Sequence, residues 1–446
     1  MKNVNIVHAI GTSGPLYESL GATFQRLEHL FNIKDIAHNR ENLDMLKKKK
    51  INLGGIENEV AKVLSSHLSN YNDSWPKISE MLDRILPEDF RFKSCDSYGN
   101  GWVFSWHCSD FVGFDINPRR RDMGYHNIYD FYHEALREHG IDSETIQFLF
   151  HPISTYKEAH KCATSYINSP ELYQILCRRI IEREWFPAVY KAGCQAERPD
   201  SNWFLEQWIP FDISSMAIEN YQELDKMTDF KNGRSGDWRL APKDWSVYHP
   251  HHDNYQKKGE SRRWIGRALN VLNRIASIDQ YEMDKAFERA KKDLPTLVGI
   301  ASHDFRDLQT EVEYIQGLIK VSKQKYPEVK FRYCSSLDGF KEVIDDNYKN
   351  ITPLRLELKL NRDPKDDVPN LEIKTIKGEV FGPQPFLAIE TISKRFIHDN
   401  LDFSTCGNRW YYAFHTDTLP LNDVRRVGIA ANDKVGNTFV KVLKVN

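Results

Sequence analysis

The chain has 446 residues, enough for more than one domain or for one large barrel with appendages. Charged residues make up 28%, hydrophobic ones 40%, and the formal net charge is −2. That is the balance of an ordinary folded, soluble chain, with no global electrostatic case for a nucleic-acid or membrane-surface partner.

VNIVHAI, residues 4–10, reads as a buried strand. Residues 15–31 read as an amphipathic helix, with Leu16, Leu20, Phe24, Leu27 and Leu30 near helical spacing. Residues 41–85 are helical and charged, and the run Lys47-Lys48-Lys49-Lys50 reads as a solvated helix end or loop. WVFSWH (102–107) is the next strand, followed by the polar loop DFVGFDINPRRRDMGYHN and the helix IYDFYHEALREHG. IQFLF (146–150) is a strand, HPIST follows it, and a helix is expected over 156–184. AVYKAG (188–193) is strand-like, DSNWFLEQW helix-like, and IPFDI (209–213) a short strand. After the long loop APKDWSVYHPHHDNYQKKG, the spacing predicts a helical stretch over 262–292. TLVGIA (296–301) is a strand ending in SHDFRD, a helix covers 308–325, and VKFRY (329–333) closes the series. This alternation argues for an α/β fold, a (β/α) barrel or an open sheet, over residues 1–345. LRLELKL, AIETISKRFI, WYYAFHT and FVKVLKV then predict a small β-rich domain over 346–446.

Seven cysteines at irregular spacing, with no C-x-x-C, read as reduced thiols of a cytoplasmic protein. The start of the chain does not read as a secretory leader, and no apolar run approaches the ~20 residues of a membrane span. Catalytic templates built on G-x-x-x-x-G-K-[ST], G-x-S-x-G or a strand-borne G-x-G-x-x-G are absent from the sequence.

Polar clusters fall just after the predicted strands, where side chains of a parallel barrel converge on one face. His151 ends a strand and His160 lies nine residues on, so both can reach one metal. His303 beside Asp304 suits general acid/base work, since a carboxylate orients and charges an imidazole. Arg119, Arg120 and Arg121, fixed after Pro118, suit a substrate phosphate or carboxylate, or equally ion pairs with Asp110, Asp115 and Asp122. Lys191 ends a strand, Asp212 ends IPFD, and Asp200 closes the loop KAGCQAERPD. His249 belongs to YHPHHD, in an insertion placed to wall a substrate.

This order of parts resembles the polysaccharide deacetylase superfamily, the NodB-homology carbohydrate esterases. The resemblance covers residues 1–345 and implies a distorted (β/α) barrel, with insertions at about 35–100 and 215–290. It implies a divalent metal, zinc, held by His151 and His160, that activates water to remove an N- or O-acyl group from a sugar. Lys191 in YKAG resembles the family's Arg-motif position, Asp212 in IPFDIS its later Asp motif, and His303 in ASHDFRD its catalytic acid. The first motif departs: the family reads D-T-E-G or D-D-G, and this chain reads Gly11-Thr12-Ser13-Gly14. The general base and an acidic ligand are thus replaced by Gly11 and Ser13, unless Asp110 or Asp115 supplies a carboxylate. The expected function is metal-dependent deacylation of a sugar or glycan precursor, nucleotide- or lipid-linked, in cell-surface polysaccharide biosynthesis. The alternative is a catalytically impaired, carbohydrate-binding protein on the same scaffold. A homo-oligomer is compatible with either.

Overall fold

The computed structural model describes residues 2–159, 165–220, 236–344, 351–363 and 368–445. Strands β1 (Asn3–Thr12), β2 (Phe104–Ser109), β3 (Thr145–Phe150), β4 (Val189–Ala192) and β5 (Phe211–Ser215) follow one another in a parallel sheet. A separate hairpin intervenes, β6 (Pro250–His251) and β7 (Asn254–Lys258). β8 (Trp264–Asn270) and β9 (Thr296–His303) complete the sheet, and β9 pairs back on β1 from Val4 to Gly11. The sheet is therefore a closed barrel of seven parallel strands, and the open-sheet option falls away. β1 serves two neighbours along its other edge: Asn3–Val7 pair with β10 (Lys330–Cys334), and His8–Thr12 pair with β2.

Strand alternation decides what fills the barrel. Val7, Ala9, Val189, Ile213, Leu297 and Ala301 meet inside, plugged by Phe340 from the helix Ser336–Ile344. The Phe340 ring stacks on Phe211 at 4.8 Å. Ile6, Ile10, Trp106, Leu269 and Ile300 face outward onto the helices. Both faces are apolar and buried, which is why these strands read as continuous apolar runs.

Two helical expectations give way. Over 262–292 the chain forms β8 first and a helix only at Gln280–Lys291. RRWIGRALN has helix-like spacing, but it is the stave between β5 and β9, with Ile265 and Leu269 on one face and Ala268 on the other. Over 156–184 the helix occupies Glu171–Arg183, and Tyr156–Ala159 are non-helical. Between β1 and β2 lie short helices, among them Leu20–Phe31, Arg40–Lys47, Glu57–Val63 and Trp75–Ile85.

The last part of the chain holds β11 (Arg355–Asn361), β12 (Asn370–Lys377), β13 (Phe386–Thr391), β14 (Phe396–Asp399), β15 (Asp402–Phe403), β16 (Arg409–Ala413), β17 (Val424–Asn432) and β18 (Thr438–Lys444). They form two antiparallel sheets, β11-β12-β16-β15 and β14-β13-β17-β18, around a core that includes Leu371, Ile373, Leu387, Ile389 and Trp410. The second sheet also packs on the helix Glu171–Arg183, where Phe386, Ala388 and Ala430 join Ile180 and Trp208. Asn432 ties the two parts polar-side too, donating from Nδ2 to the carbonyls of Pro187 (2.8 Å) and Trp208 (2.9 Å).

Candidate active site at the barrel mouth

The inward positions at the C-terminal ends of the strands carry Gly11, His107, Leu149, Lys191 and His303. Gly11 is in register with both His107 on β2 and His303 on β9. A Cβ on Gly11 would stand 3.0 Å from His303 Nδ1 and 3.1 Å from Leu149 Cδ1. The missing side chain at this position makes room for the imidazole. Polar residues at 105, 107 and 109 of FSWHCS mark the inward face of β2 and are the signal that would have singled out His107.

The charge state of this cluster follows from burial. His107 is fully buried and its pKa falls to about 3, mainly by desolvation and then by the nearby Lys191. The Phe148 backbone pulls the other way, but neither ring nitrogen meets a partner with hydrogen-bond geometry. His303 is held well below the usual imidazole range by burial, and further by Lys191, Arg306, Arg121 and His151. Its Nδ1 is buried without a hydrogen-bond partner. Burial lowers Lys191 to about 8, while the charges of Cys194 and Asp212 draw it back up. At neutral pH, neutral imidazoles therefore stand beside a cationic ammonium, in a layer with no inward carboxylate among the described residues.

Asp304 explains the empty-looking turn after β1. Its carboxylate accepts from the Ser13 N–H (3.0 Å), the Gly14 N–H (2.8 Å) and the Tyr132 hydroxyl (3.0 Å). Burial pushes its pKa up to about 6, against these three hydrogen bonds and Arg121. The acid of this corner thus arrives from β9, and it is committed to holding the Gly11–Gly14 turn rather than to orienting His303. Neither Asp110 nor Asp115 fills the corner. Asp110 pairs with the buried Arg179 at 2.5 Å, and Asp115 meets Lys157 at the surface.

His151 lies at the end of β3, its ring stacked on Phe111 at 5.7 Å. It packs so closely on Gly193 that a Cβ there would stand 2.3 Å from its Nδ1. His160 lies outside the described residues. Of the three arginines only Arg121 enters the mouth. Arg119 pairs with Glu18 at 3.2 Å and Arg120 lies over the Tyr17 ring at 4.2 Å.

Three other expected site residues do other work. Asp212 alternates to the outer face of β5 and accepts from Arg263 Nη1 at 2.8 Å. Arg263 also pairs with the buried Glu197 and donates to Asn202 Oδ1, a network that fixes β5, β8 and the helix Pro199–Trp208. Burial first, then the Asp212 charge, pushes Glu197 well up against the pull of Arg263. Asp200 accepts from the N–H groups of Tyr166 (2.7 Å) and Ile167 (3.1 Å) and pins that loop. His249 sits beside the start of β8, its ring 3.6 Å from that of Trp264, away from the strands' C-terminal ends. It lines a cleft with Arg262, Phe381 and Lys434 instead of the mouth.

A zinc site needs three or four convergent donors. Among the described residues no three His, Cys, Asp or Glu side chains are grouped to hold a metal. The acids nearest the mouth are already committed, Asp304 to the turn and Asp110 to Arg179. Of the two expected ligands His151 is described and stacks on Phe111, and His160 lies outside the described residues.

The fold and this site define a (β/α)-barrel protein with a titratable, cation-lined mouth. No family model, curated protein or solved structure matches the chain. No helix among the described residues is long and apolar enough to cross a membrane, and no disulfide links the described cysteines.

Proposed function

We propose that the chain is a deacylase of the polysaccharide deacetylase type, removing an N- or O-acyl group from a sugar or glycan precursor in cell-surface polysaccharide biosynthesis. The observation that carries the reading is the placement of His303, His107 and Lys191 at the C-terminal ends of barrel strands, where burial disfavours charge on both imidazoles. The substrate class rests on the order of motifs along the sequence.

His303 accepts a proton from water as that water attacks the acyl carbonyl carbon. The Lys191 ammonium donates to the carbonyl oxygen as it gains negative charge. Collapse of the tetrahedral intermediate breaks the bond to the sugar nitrogen or oxygen. The imidazolium returns its proton to that leaving atom, giving the free sugar group and a carboxylic acid. Lys191 and His107 are buried, which strengthens electrostatic interactions around them.

Acetate release from N- and O-acetylated sugars, measured on chelator-treated protein, tests this reading. Lys191→Met should lower kcat about 100-fold or more. The wild-type rate should fall as pH rises through about 8, where Lys191 loses its proton, and Lys191→Arg should move that limb upward. Activity lost on chelation and restored by zinc overturns the assignment of water activation to His303 alone.

A binding protein without turnover is the second reading, favoured by the commitment of Asp304 to the Ser13–Gly14 turn. Saturable binding of an acetylated sugar with no acetate release would establish it.

A further inference from the structure

Arg121 is the centre of a five-membered stack. Its guanidinium carbon lies 5.4 Å from the Phe111 ring centre and 5.1 Å from the Phe305 ring centre. Phe111 stacks on His151 at 5.7 Å, and Phe305 stacks on His303 at 4.8 Å with the planes 13° apart. The order is His151, Phe111, Arg121, Phe305, His303, so the guanidinium bridges the two sides of the mouth. The stack is braced from behind. Asn72 donates to the carbonyls of Asp304 (3.0 Å) and Arg306 (3.2 Å), and Asn117 Oδ1 accepts from the Arg121 N–H at 2.6 Å.

Two aromatic faces satisfy the flat sides of a guanidinium but none of its five N–H donors. Arg121 Nε and Nη1 are buried and have no hydrogen-bond partner. Asp304 acts on Arg121 through its charge, while its hydrogen bonds go to Ser13, Gly14 and Tyr132. Burial lowers Arg121 to about 10, which leaves it charged at neutral pH. Cationic donors shut off from water, as Nε and Nη1 are here, are costly unless something pairs with them. Its fork geometry is complementary to an oxyanion that presents two oxygens.

We propose that Arg121 is the anion subsite of the mouth, seating a phosphate or carboxylate carried by the substrate beside the acyl group that His303 and Lys191 act on. The placing of the acyl group rests on the deacylase reading. The anion subsite itself rests on the Arg121 stack. Lys191 adds a second positive charge to the same mouth, so the ligand is an acidic or phosphorylated sugar rather than a neutral one.

The test uses the full chain with inorganic phosphate and with acetate as separate probes, at ionic strength held constant with sodium chloride, reading the melting temperature against probe concentration. A saturable rise is expected. Arg121→Met keeps an apolar filling between the two rings and should weaken the response about tenfold or more, while Arg121→Lys keeps the charge but not the fork and should fall between. Arg119→Met, on the Glu18 side of the loop, should match wild type. A response to phosphate alone assigns a phosphorylated sugar, and to acetate alone an acidic sugar. No saturable response in folded wild type, or an equal one in Arg121→Met, overturns the proposal. Acetate release is measured in parallel on one neutral and one anionic acetylated sugar. Anion binding through Arg121 without acetate release removes the deacylase reading and leaves the subsite standing. Acetate release with no preference for the anionic sugar and no change of KM in Arg121→Met does the reverse.

Discussion

At Gly11 a single absent side chain governs the mouth. A carboxylate there is what the resemblance to deacetylases calls for, yet the space is already occupied by His303 and Leu149. Gly11→Asp should therefore not recover a lost base. It should displace the imidazole and cost about 1–3 kcal/mol, read as a lowered denaturation midpoint. His107 makes a second prediction at this scale. Its pKa is depressed in the folded state, so the unfolded chain takes up the proton first as pH falls. The stability it contributes is complete above the unfolded value of about 6.5 and is lost progressively as pH falls towards 3. Asp110 and Asp304 work in the opposite sense, because their pKa values are raised to about 6. Comparison with His107→Gln isolates the histidine: the variant should lose less stability between pH 6.5 and 4, by on the order of 3 kcal/mol in denaturant titrations.

Among the elements, the turn after β1 and the helix Glu171–Arg183 carry the most consequence. The turn has no acid of its own and borrows Asp304 from β9, with Tyr132 from the helix Asn127–Glu138 as third donor. Asp304→Ala leaves two buried N–H groups and a hydroxyl unsatisfied and should destabilise the chain by about 2–4 kcal/mol. Tyr132→Phe removes one hydrogen bond to the ionised carboxylate and should cost about 1.5–3 kcal/mol. The helix Glu171–Arg183 is the platform on which β13 and β17 rest. Gly428 on β17 lies so close that a Cβ would stand 2.5 Å from Ile180 Cγ2. Gly428→Ala should separate the sheet from the helix and broaden or split the thermal transition, which calorimetry reads directly.

For the molecule as a whole, barrel closure brings distant segments to one mouth. Gly11, His107, His151, Lys191 and His303 come from five staves or their ends, and Arg121 from a loop pinned against the insertion between β1 and β2. In that loop Asp122 accepts from Trp75 Nε1 at 2.7 Å. The insertion is thus part of the wall that places Arg121. Of the expected site residues, Lys191, His303 and His151 lie at the mouth, each within one residue of the end of an apolar strand. Asp212, Asp200 and His249 do not, because strand parity and loop packing turn them elsewhere.

By itself the sequence determined the alternation of strands and helices, the β-rich end, and the polar strand ends where chemistry gathers. Those are local properties, written in hydrophobic period and turn residues. Only the tertiary structure decided that RRWIGRALN is a stave and not a helix, because helical spacing and a strand buried on both faces look alike in a short apolar run. Tertiary structure also decided which polar groups face one another. It gave Asp304 to the Ser13–Gly14 turn, Asp212 to Arg263, and to Arg121 the two aromatic walls of Phe111 and Phe305. Hydrogen bonds and ion pairs between residues hundreds apart depend on barrel closure, and no local pattern carries that information.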